Sequence, residues 1–96
     1  MDVTFQMWAG GALLGARKGR SFTAEIGSTS SLQRMKTAVM NQEGFPVQHQ
    51  RPFFGGVEMQ EKGDDTTREY SIVKGSTIDL LIPYRYRGRR RRSLIN

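Results

Sequence analysis

Residues 30–56 read SSLQRMKTAVMNQEGFPVQHQRPFFGG and decide the fold. Within this stretch, Leu32, Met35 and Val39 fall at i, i+3 and i+7, the spacing that places apolar side chains on one face of an α-helix. The positions between them are mostly polar. The pattern therefore predicts an amphipathic helix with one buried face.

Both ends of this helix are marked in the sequence. Ser30 followed three residues later by Gln33 fits a capping box, in which each side chain satisfies a free backbone N–H of the first turn. Gly44 lies where a left-handed residue ends a helix, and Pro46 prevents continuation. We expect the helix to span residues 31–43.

A strand is predicted directly after the helix, at residues 50–54. Pro52 lies in its middle and has no N–H to donate to a neighbouring strand. Alternate residues bond to opposite neighbours, so we expect Arg51 and Phe53 to pair with the final strand. Position 52 is then expected to face a short outer strand at residues 57–59, where a missing bond is tolerated.

The N-terminal part of the chain has the alternation of a β-hairpin. Residues 1–7 place apolar side chains at every second position, and residues 22–26 do the same. The connection is predicted to cover most of residues 8–20, which are rich in glycine. We expect Trp8 and the Leu13–Leu14 pair to fold back onto the sheet rather than form an exposed binding tip.

The C-terminal part is predicted to contain a short helical turn and a closing strand. The turn is expected near residues 66–70, after a polar loop, and a tight turn at Lys74–Gly75 precedes the strand. Residues 77–82 form the strand, with Ile78 inward and Leu81 outward.

The pattern of several segments resembles ubiquitin. The residues that carry the resemblance are EGFP at 43–46, QR at 50–51, FF at 53–54 with Gly56, and TTREYSIVKGSTIDLL at 66–81. The resemblance implies an α+β fold of the β-grasp type: a mixed sheet of four or five strands with one main helix packed across it. It also implies that Tyr70 ties down the preceding loop through its hydroxyl group.

Length, composition and charge bound the possible functions. Ninety-six residues make one domain, which we expect at residues 1–83. The chain has no cysteine for a disulfide or a zinc site, and no apolar run is long enough for a membrane span. The N-terminus does not have the pattern of a signal peptide, so we expect a cytoplasmic or nuclear monomer. Lys plus Arg is 15 against 9 for Asp plus Glu, and six of the arginines fall in residues 84–92. We therefore expect residues 84–96 to be a basic, disordered tail or linker.

Catalysis is not indicated by the residues present. The chain contains one histidine, His49, and no cysteine, and its acidic pair Asp64–Asp65 lies in a polar loop. A nucleophile with a base in reach, or a cluster with metal-ligand spacing, is therefore missing. The sequence predicts a binding protein without an enzymatic activity, a metal or a cofactor.

The resemblance places a partner-binding patch on the outer face of the sheet. Ubiquitin binds helices and small domains through an apolar spot there, and the matching positions are Phe53 and Leu81. The polar and small residues expected around them are Arg51, Gly55, Gly56, Glu58 and Asp79. This favours a protein-interaction module, expected to belong to a larger protein of the ubiquitin and proteasome pathway. In the alternative interpretation, the Arg51 stem or the long N-terminal loop covers the two apolar residues.

The basic tail permits two further functions. Its arginines could bind nucleic acid or an import receptor, since each arginine brought to a phosphate releases a counterion. These residues are Arg85, Arg87, Arg89, Arg90, Arg91 and Arg92. The tail also resembles the start of the ubiquitin tail, but Arg89 replaces the second glycine. A covalent modifier would then require processing after Gly88, and we rank that function below the other two.

Overall fold

The computed structural model describes residues 1–83, which form five strands and two α-helices. Two strands come first, β1 (Asp2–Ala9) and β2 (Arg17–Glu25), followed by the main helix α1 (Leu32–Glu43). A single 3-10 turn (Val47–His49) leads into β3 (Arg51–Phe54) and β4 (Val57–Glu58). The short helix α2 (Thr66–Glu69) precedes the last strand, β5 (Thr77–Ile82).

The five strands form one mixed sheet in the order β2-β1-β5-β3-β4. Strands β1 and β5 are parallel at its centre, while all other neighbours are antiparallel. The predicted β-grasp fold is confirmed. Because β1 and β5 run side by side, their carboxyl ends lie at the same end of the sheet as the start of β2.

Helix α1 packs its apolar face on one side of this sheet, called here the inner face. Leu32, Met35 and Val39 are all buried, as their spacing predicts. They join a cluster with inward residues of the central strands, including Phe5 and Ile78. The opposite side of the sheet, called here the outer face, carries no helix among the described residues.

The helix ends differ in part from the prediction. The N-cap is Ser31 and not Ser30: the Ser31 Oγ accepts a hydrogen bond from the backbone N–H of Arg34 at 3.1 Å. Ser30 is buried, and its backbone carbonyl accepts from Thr66 N in α2 at 2.8 Å, so it serves the loop packing instead. The predicted stop is confirmed, since Gly44 has φ of 85° and its N–H returns to the carbonyl of Met40.

The connection between β1 and β2 is shorter than predicted. Strand β1 continues to Ala9 because it pairs with β5 up to Ile82, and β2 already begins at Arg17. Only residues 10–16 remain as a loop, called here the β1–β2 loop. A bulge disturbs the register between the two strands: the two-residue step from Gln6 to Trp8 in β1 faces the three-residue step from Ser21 to Lys18 in β2, so the extra residue lies in β2.

Strand β3 accommodates its proline as expected. Arg51, Pro52 and Phe53 pair with Leu81, Leu80 and Asp79 of β5, and the Pro52 carbonyl accepts from Met59 N on the β4 side at 2.9 Å. The turns before β5 also agree with the prediction. Gly75 has φ of 85°, and the N–H of Gln60 donates to the Tyr70 hydroxyl oxygen at 2.9 Å.

Candidate functional site

The strand register brings the predicted patch residues together on the outer face. Arg51 lies opposite Leu81, while Phe53 lies opposite Asp79 on one side and Glu58 on the other. Gly55 and Gly56 form the turn from β3 to β4, with φ of 61° and 83°, a conformation that favours glycine. The residues are therefore contiguous, as the resemblance implied.

The expected exposure of the two apolar residues is wrong. Leu81 is 1% exposed and Phe53 is 9% exposed, so neither presents a free apolar surface. Both lie outside the core cluster beneath α1. The outer face is therefore polar in this conformation, and the alternative in which neighbouring groups cover the pair describes the structure better.

Trp8 supplies one part of this cover. It lies opposite Leu81 in the parallel β1–β5 register, so the two side chains share the outer face. The indole Nε1 donates to the Asp79 carboxylate Oδ1 at 2.8 Å, which holds the ring against β5. Trp8 therefore flanks Leu81 from one side and lies on the sheet as expected. Leu14 is 95% exposed, so the same expectation for the Leu13–Leu14 pair is wrong at Leu14.

Arg51 flanks Leu81 from the other side and joins three parts of the outer face. Its Nε and Nη2 donate to the two carboxylate oxygens of Glu58 at 3.1 and 2.9 Å. The guanidinium carbon lies 5.7 Å from the ring centroid of Phe53, a cation–π distance. Its Nη1 donates to the carbonyl of Gly11 in the β1–β2 loop at 3.1 Å. One side chain thus covers Phe53 and binds the loop.

The Arg51–Glu58 pair is the main electrostatic feature of this face. The hydrogen bonds from Arg51 lower the pKa of the Glu58 carboxyl below its usual value, and those to Glu58 raise the pKa of Arg51. Both side chains remain partly exposed, at 46% and 38%. The pair can therefore be contacted by a partner, and its strength is reduced by salt.

A groove of about 380 Å³ runs beside Arg51 at the end of the sheet where β5 finishes. Its walls come from the β1–β2 loop, the 3-10 turn and the last residues of β5. The lining residues are Gly10, Gly11, Gln48, His49, Arg51, Leu81, Ile82 and Pro83. The lining includes His49, the one histidine of the chain.

Trp8 and Gly11 belong to the site although the sequence did not predict them there. Both lie in the stretch predicted as an irregular connection. The alternation of Val3, Phe5 and Met7 continues to Ala9, and that continuation was the available signal for Trp8 as an outer-face residue. No local signal could have indicated Gly11, because only its backbone carbonyl contacts Arg51.

The predicted tail sites lie outside the described residues. These are Gly88 and the arginines Arg85, Arg87, Arg89, Arg90, Arg91 and Arg92. Among residues 1–83, no helix is long and apolar enough to cross a membrane. The same part of the chain holds no group of three His, Cys, Asp or Glu side chains placed to bind a metal ion.

The β-grasp sheet, the glycine-ended helix and the outer face with Arg51 define a ubiquitin-like protein. The family model described as "Ubiquitin family" matches residues 15–83, and the chain belongs to this family. It is 40% identical to the ubiquitin-like protein NEDD8 of Dictyostelium discoideum over 68 residues, which are 70% of this chain and 84% of the relative. It is 31% identical to the NEDD8-like protein RUB3 of Arabidopsis thaliana over 61 residues, which are 64% of this chain and 76% of the relative.

Proposed function

We propose that this protein is a non-catalytic recognition domain that binds helical or small-domain protein partners through its outer sheet face. The observation that carries the proposal is the placement of Arg51. It is partly exposed, contacts Glu58, Phe53 and the β1–β2 loop, and borders a groove next to Leu81. A charged anchor beside an apolar groove is a common arrangement for binding an amphipathic helix.

The charges of the face favour a partner with acidic residues. Lys18 lies opposite Trp8, and Lys18 is exposed. Of the two nearby carboxylates, Glu58 is bound to Arg51 and Asp79 accepts from Trp8. Since Arg51 is itself paired with Glu58, the exposed Lys18 is the cation of this face with the greatest capacity for new contacts, and complementary charge increases the association rate and specificity.

The proposal can be tested by affinity measurements on charge-reversal variants. A helical ubiquitin-binding peptide is titrated calorimetrically against the wild type, Arg51→Glu and a matched control, Arg34→Glu, whose side chain lies on α1 away from the outer face. We expect Arg51→Glu to weaken binding at least about tenfold, as for a central interface charge, and Arg34→Glu to leave it unchanged. Equal affinities of the peptide for all three proteins would contradict binding through the outer face.

The two NEDD8-type relatives favour a second candidate function, that of a covalent modifier. Such a modifier needs a carboxyl-terminal glycine that can be joined to an amine. In this chain, Gly88 within Arg87–Gly88–Arg89 is the residue at which processing would have to occur. The similarity to the two relatives supports this candidate, whereas the single glycine in place of a pair makes it the second choice.

Intact-mass analysis distinguishes the second candidate from the first. The full chain is expressed in cells with an N-terminal affinity tag, recovered, and compared with a Gly88→Asp variant. A modifier predicts a product that ends at Gly88 and higher-mass conjugates, both lost in the variant. If the wild type keeps residues 89–96 throughout and forms no conjugates, the modifier function is excluded.

A further inference from the structure

The end of the sheet at which β1 and β5 finish and β2 begins carries two basic residues. Ala9, the last residue of β1, pairs with Arg17 of β2 on one side and with Ile82 of β5 on the other. Trp8, one residue earlier, pairs with Lys18. The register therefore places Arg17 and Lys18 at the end of the sheet where the chain leaves β5.

These two cations are available to a ligand. Arg17 and Lys18 are exposed, and neither forms an ion pair within residues 1–83. The acidic residues of β1 and β2, Asp2 and Glu25, lie opposite each other at the far end of the two strands. On the outer face, the Asp79 carboxylate already accepts a hydrogen bond from an indole N–H. The positive charge of this end is therefore not neutralised by the strands that carry it.

Trp8 lies beside these cations in a fixed orientation. Its indole Nε1 donates to Asp79 Oδ1 at 2.8 Å, and its neighbours across the two adjoining strands are Lys18 and Leu81. The residue is half-buried, so part of it remains accessible. Aromatic side chains next to cations are the surfaces on which proteins stack unpaired bases while they bind the phosphate backbone.

The chain beyond Pro83 adds residues of the same two kinds. Residues 84–92 read YRYRGRRRR and contain two tyrosines and six arginines. They lie outside the described residues, but they follow directly on Ile82 and Pro83, at the end of the sheet that holds Arg17. Arginine neutralises phosphate groups, and tyrosine stacks on bases. The sequence therefore continues the composition of this surface beyond the folded domain.

From these observations we infer that this end of the sheet is a binding site for single-stranded nucleic acid. The site consists of Trp8, Arg17 and Lys18 and is extended by residues 84–92. Arg17 and Lys18 contact phosphates, and one unpaired base stacks on Trp8. This inference goes beyond the proposed function and does not depend on it, because Arg51 is not part of the site.

Trp8 is the one tryptophan of the chain, so its fluorescence reports on this site directly. The full chain is titrated at low salt with an oligothymidylate of about 12 nucleotides, within the usual range of site sizes. A poly-glutamate peptide with the same number of charges is the control. We expect the oligonucleotide to quench the fluorescence and the peptide to leave it unchanged. No quenching by the oligonucleotide, or equal quenching by the peptide, overturns the inference.

Charge reversal tests the role of the folded surface. The double variant Arg17→Glu, Lys18→Glu is compared with Arg34→Glu, Lys62→Glu, which has the same net charge and changes exposed residues elsewhere. We expect the first variant to bind the oligonucleotide roughly tenfold more weakly, and the slope of log affinity against log salt to fall by about 1.4, for two phosphate contacts. The second variant should change both values much less. Equal effects of the two variants, or wild-type affinity of the first, overturn a site on the sheet.

Stacking on Trp8 is tested by two further variants. Trp8→Phe and Trp8→Leu both lose the hydrogen bond to Asp79, but the first keeps an aromatic ring. We expect Trp8→Leu to bind the labelled oligonucleotide about tenfold more weakly than Trp8→Phe, measured by fluorescence anisotropy. Equal affinities of the two folded variants overturn the stacking. Should Trp8→Leu fail to fold, the quenching of wild-type Trp8 decides the question.

Discussion

The guanidinium of Arg51 meets the carboxylate of Glu58 in a two-point contact across the β3–β4 turn, with nitrogen to oxygen distances of 3.1 and 2.9 Å. Glu58 lies opposite Phe53, so the pair holds the arginine over the Phe53 ring. In this way a charged pair covers an aromatic residue that the family resemblance placed on the surface. The same contact links the stability of the outer face to pH.

Stability should fall in acid partly through Glu58. Arg51 lowers its pKa below the usual 4.5 in the folded state, so the pair stabilises the protein above that pH, and the stabilisation is lost as the pH falls through the lower value. Glu58→Gln is therefore expected to reduce the free energy of unfolding at neutral pH by about 0.2–1 kcal/mol at low salt. The difference from the wild type should disappear in acid.

Urea unfolding at neutral pH and well below pH 4.5 measures this effect. Glu69→Gln, at an exposed position on α2, is the matched control and should differ little from the wild type at either pH. If Glu58→Gln lowers the free energy of unfolding by the same amount at both pH values, the charge of Glu58 does not contribute to stability.

Leu81 should behave as a structural residue and not as a surface residue. It is 1% exposed, so Leu81→Ala leaves a cavity and is expected to lower the free energy of unfolding by about 2–5 kcal/mol. Leu14, at 95% exposure in the β1–β2 loop, is the matched control, and Leu14→Ala should change stability by less than about 0.5 kcal/mol. Chemical denaturation checks both, and equal small effects would contradict the burial of Leu81.

Gln50 should anchor the turn after the main helix. Its Nε2 donates to the carbonyls of Lys36 at 2.9 Å and Phe45 at 3.0 Å, and its side chain is buried. Gln50→Ala leaves both carbonyls without this donor and is expected to cost about 1–3 kcal/mol. Gln48→Ala, two residues earlier and exposed, should be nearly neutral in the same denaturation experiment. Similar values for the two variants would contradict the anchoring role.

Glu61 should stabilise the start of α1 from a distant loop. The backbone N–H groups of Leu32 and Gln33 donate to its two carboxylate oxygens at 3.1 and 2.9 Å, next to the Ser31 cap. Glu61→Ala is expected to destabilise the protein by about 1–2 kcal/mol, as for the loss of a charged helix cap. Asp64→Ala in the same loop is the control. Equal melting temperatures for the two variants would contradict a capping role of Glu61.

The sequence predicted the elements whose signals are local. The spacing of Leu32, Met35 and Val39 predicted the helix, and Gly44 predicted its end. The missing N–H of Pro52 predicted which neighbour each residue of β3 faces. The contacts that the sequence did not predict are mostly long-range. Glu61 caps α1 from a distant loop, and β1 extends through Trp8 because β5 lies beside it.

The candidate site shows the same division. Alternation indicates which face a side chain lies on, and the resemblance to ubiquitin implied the grouping of Arg51, Phe53 and Asp79. Leu81 lies between Trp8 and Arg51 in the strand register. Trp8 donates to Asp79 and Arg51 donates to the Gly11 carbonyl, and no pattern in the sequence indicates either contact. The alternation of side chains along a strand therefore shows which face a residue lies on, but not whether the residue is exposed there.

The central claim, recognition of a protein helix through the outer face, is tested most directly by backbone-amide NMR during titration with an acidic ubiquitin-binding helix. We predict progressive shifts at Gly11, Arg51, Phe53 and Leu81, with little change at exposed Val73 before β5. The shifts should weaken in Arg51→Glu. Unchanged amides at these four positions, or shifts confined to Val73 and its neighbours, would contradict the account.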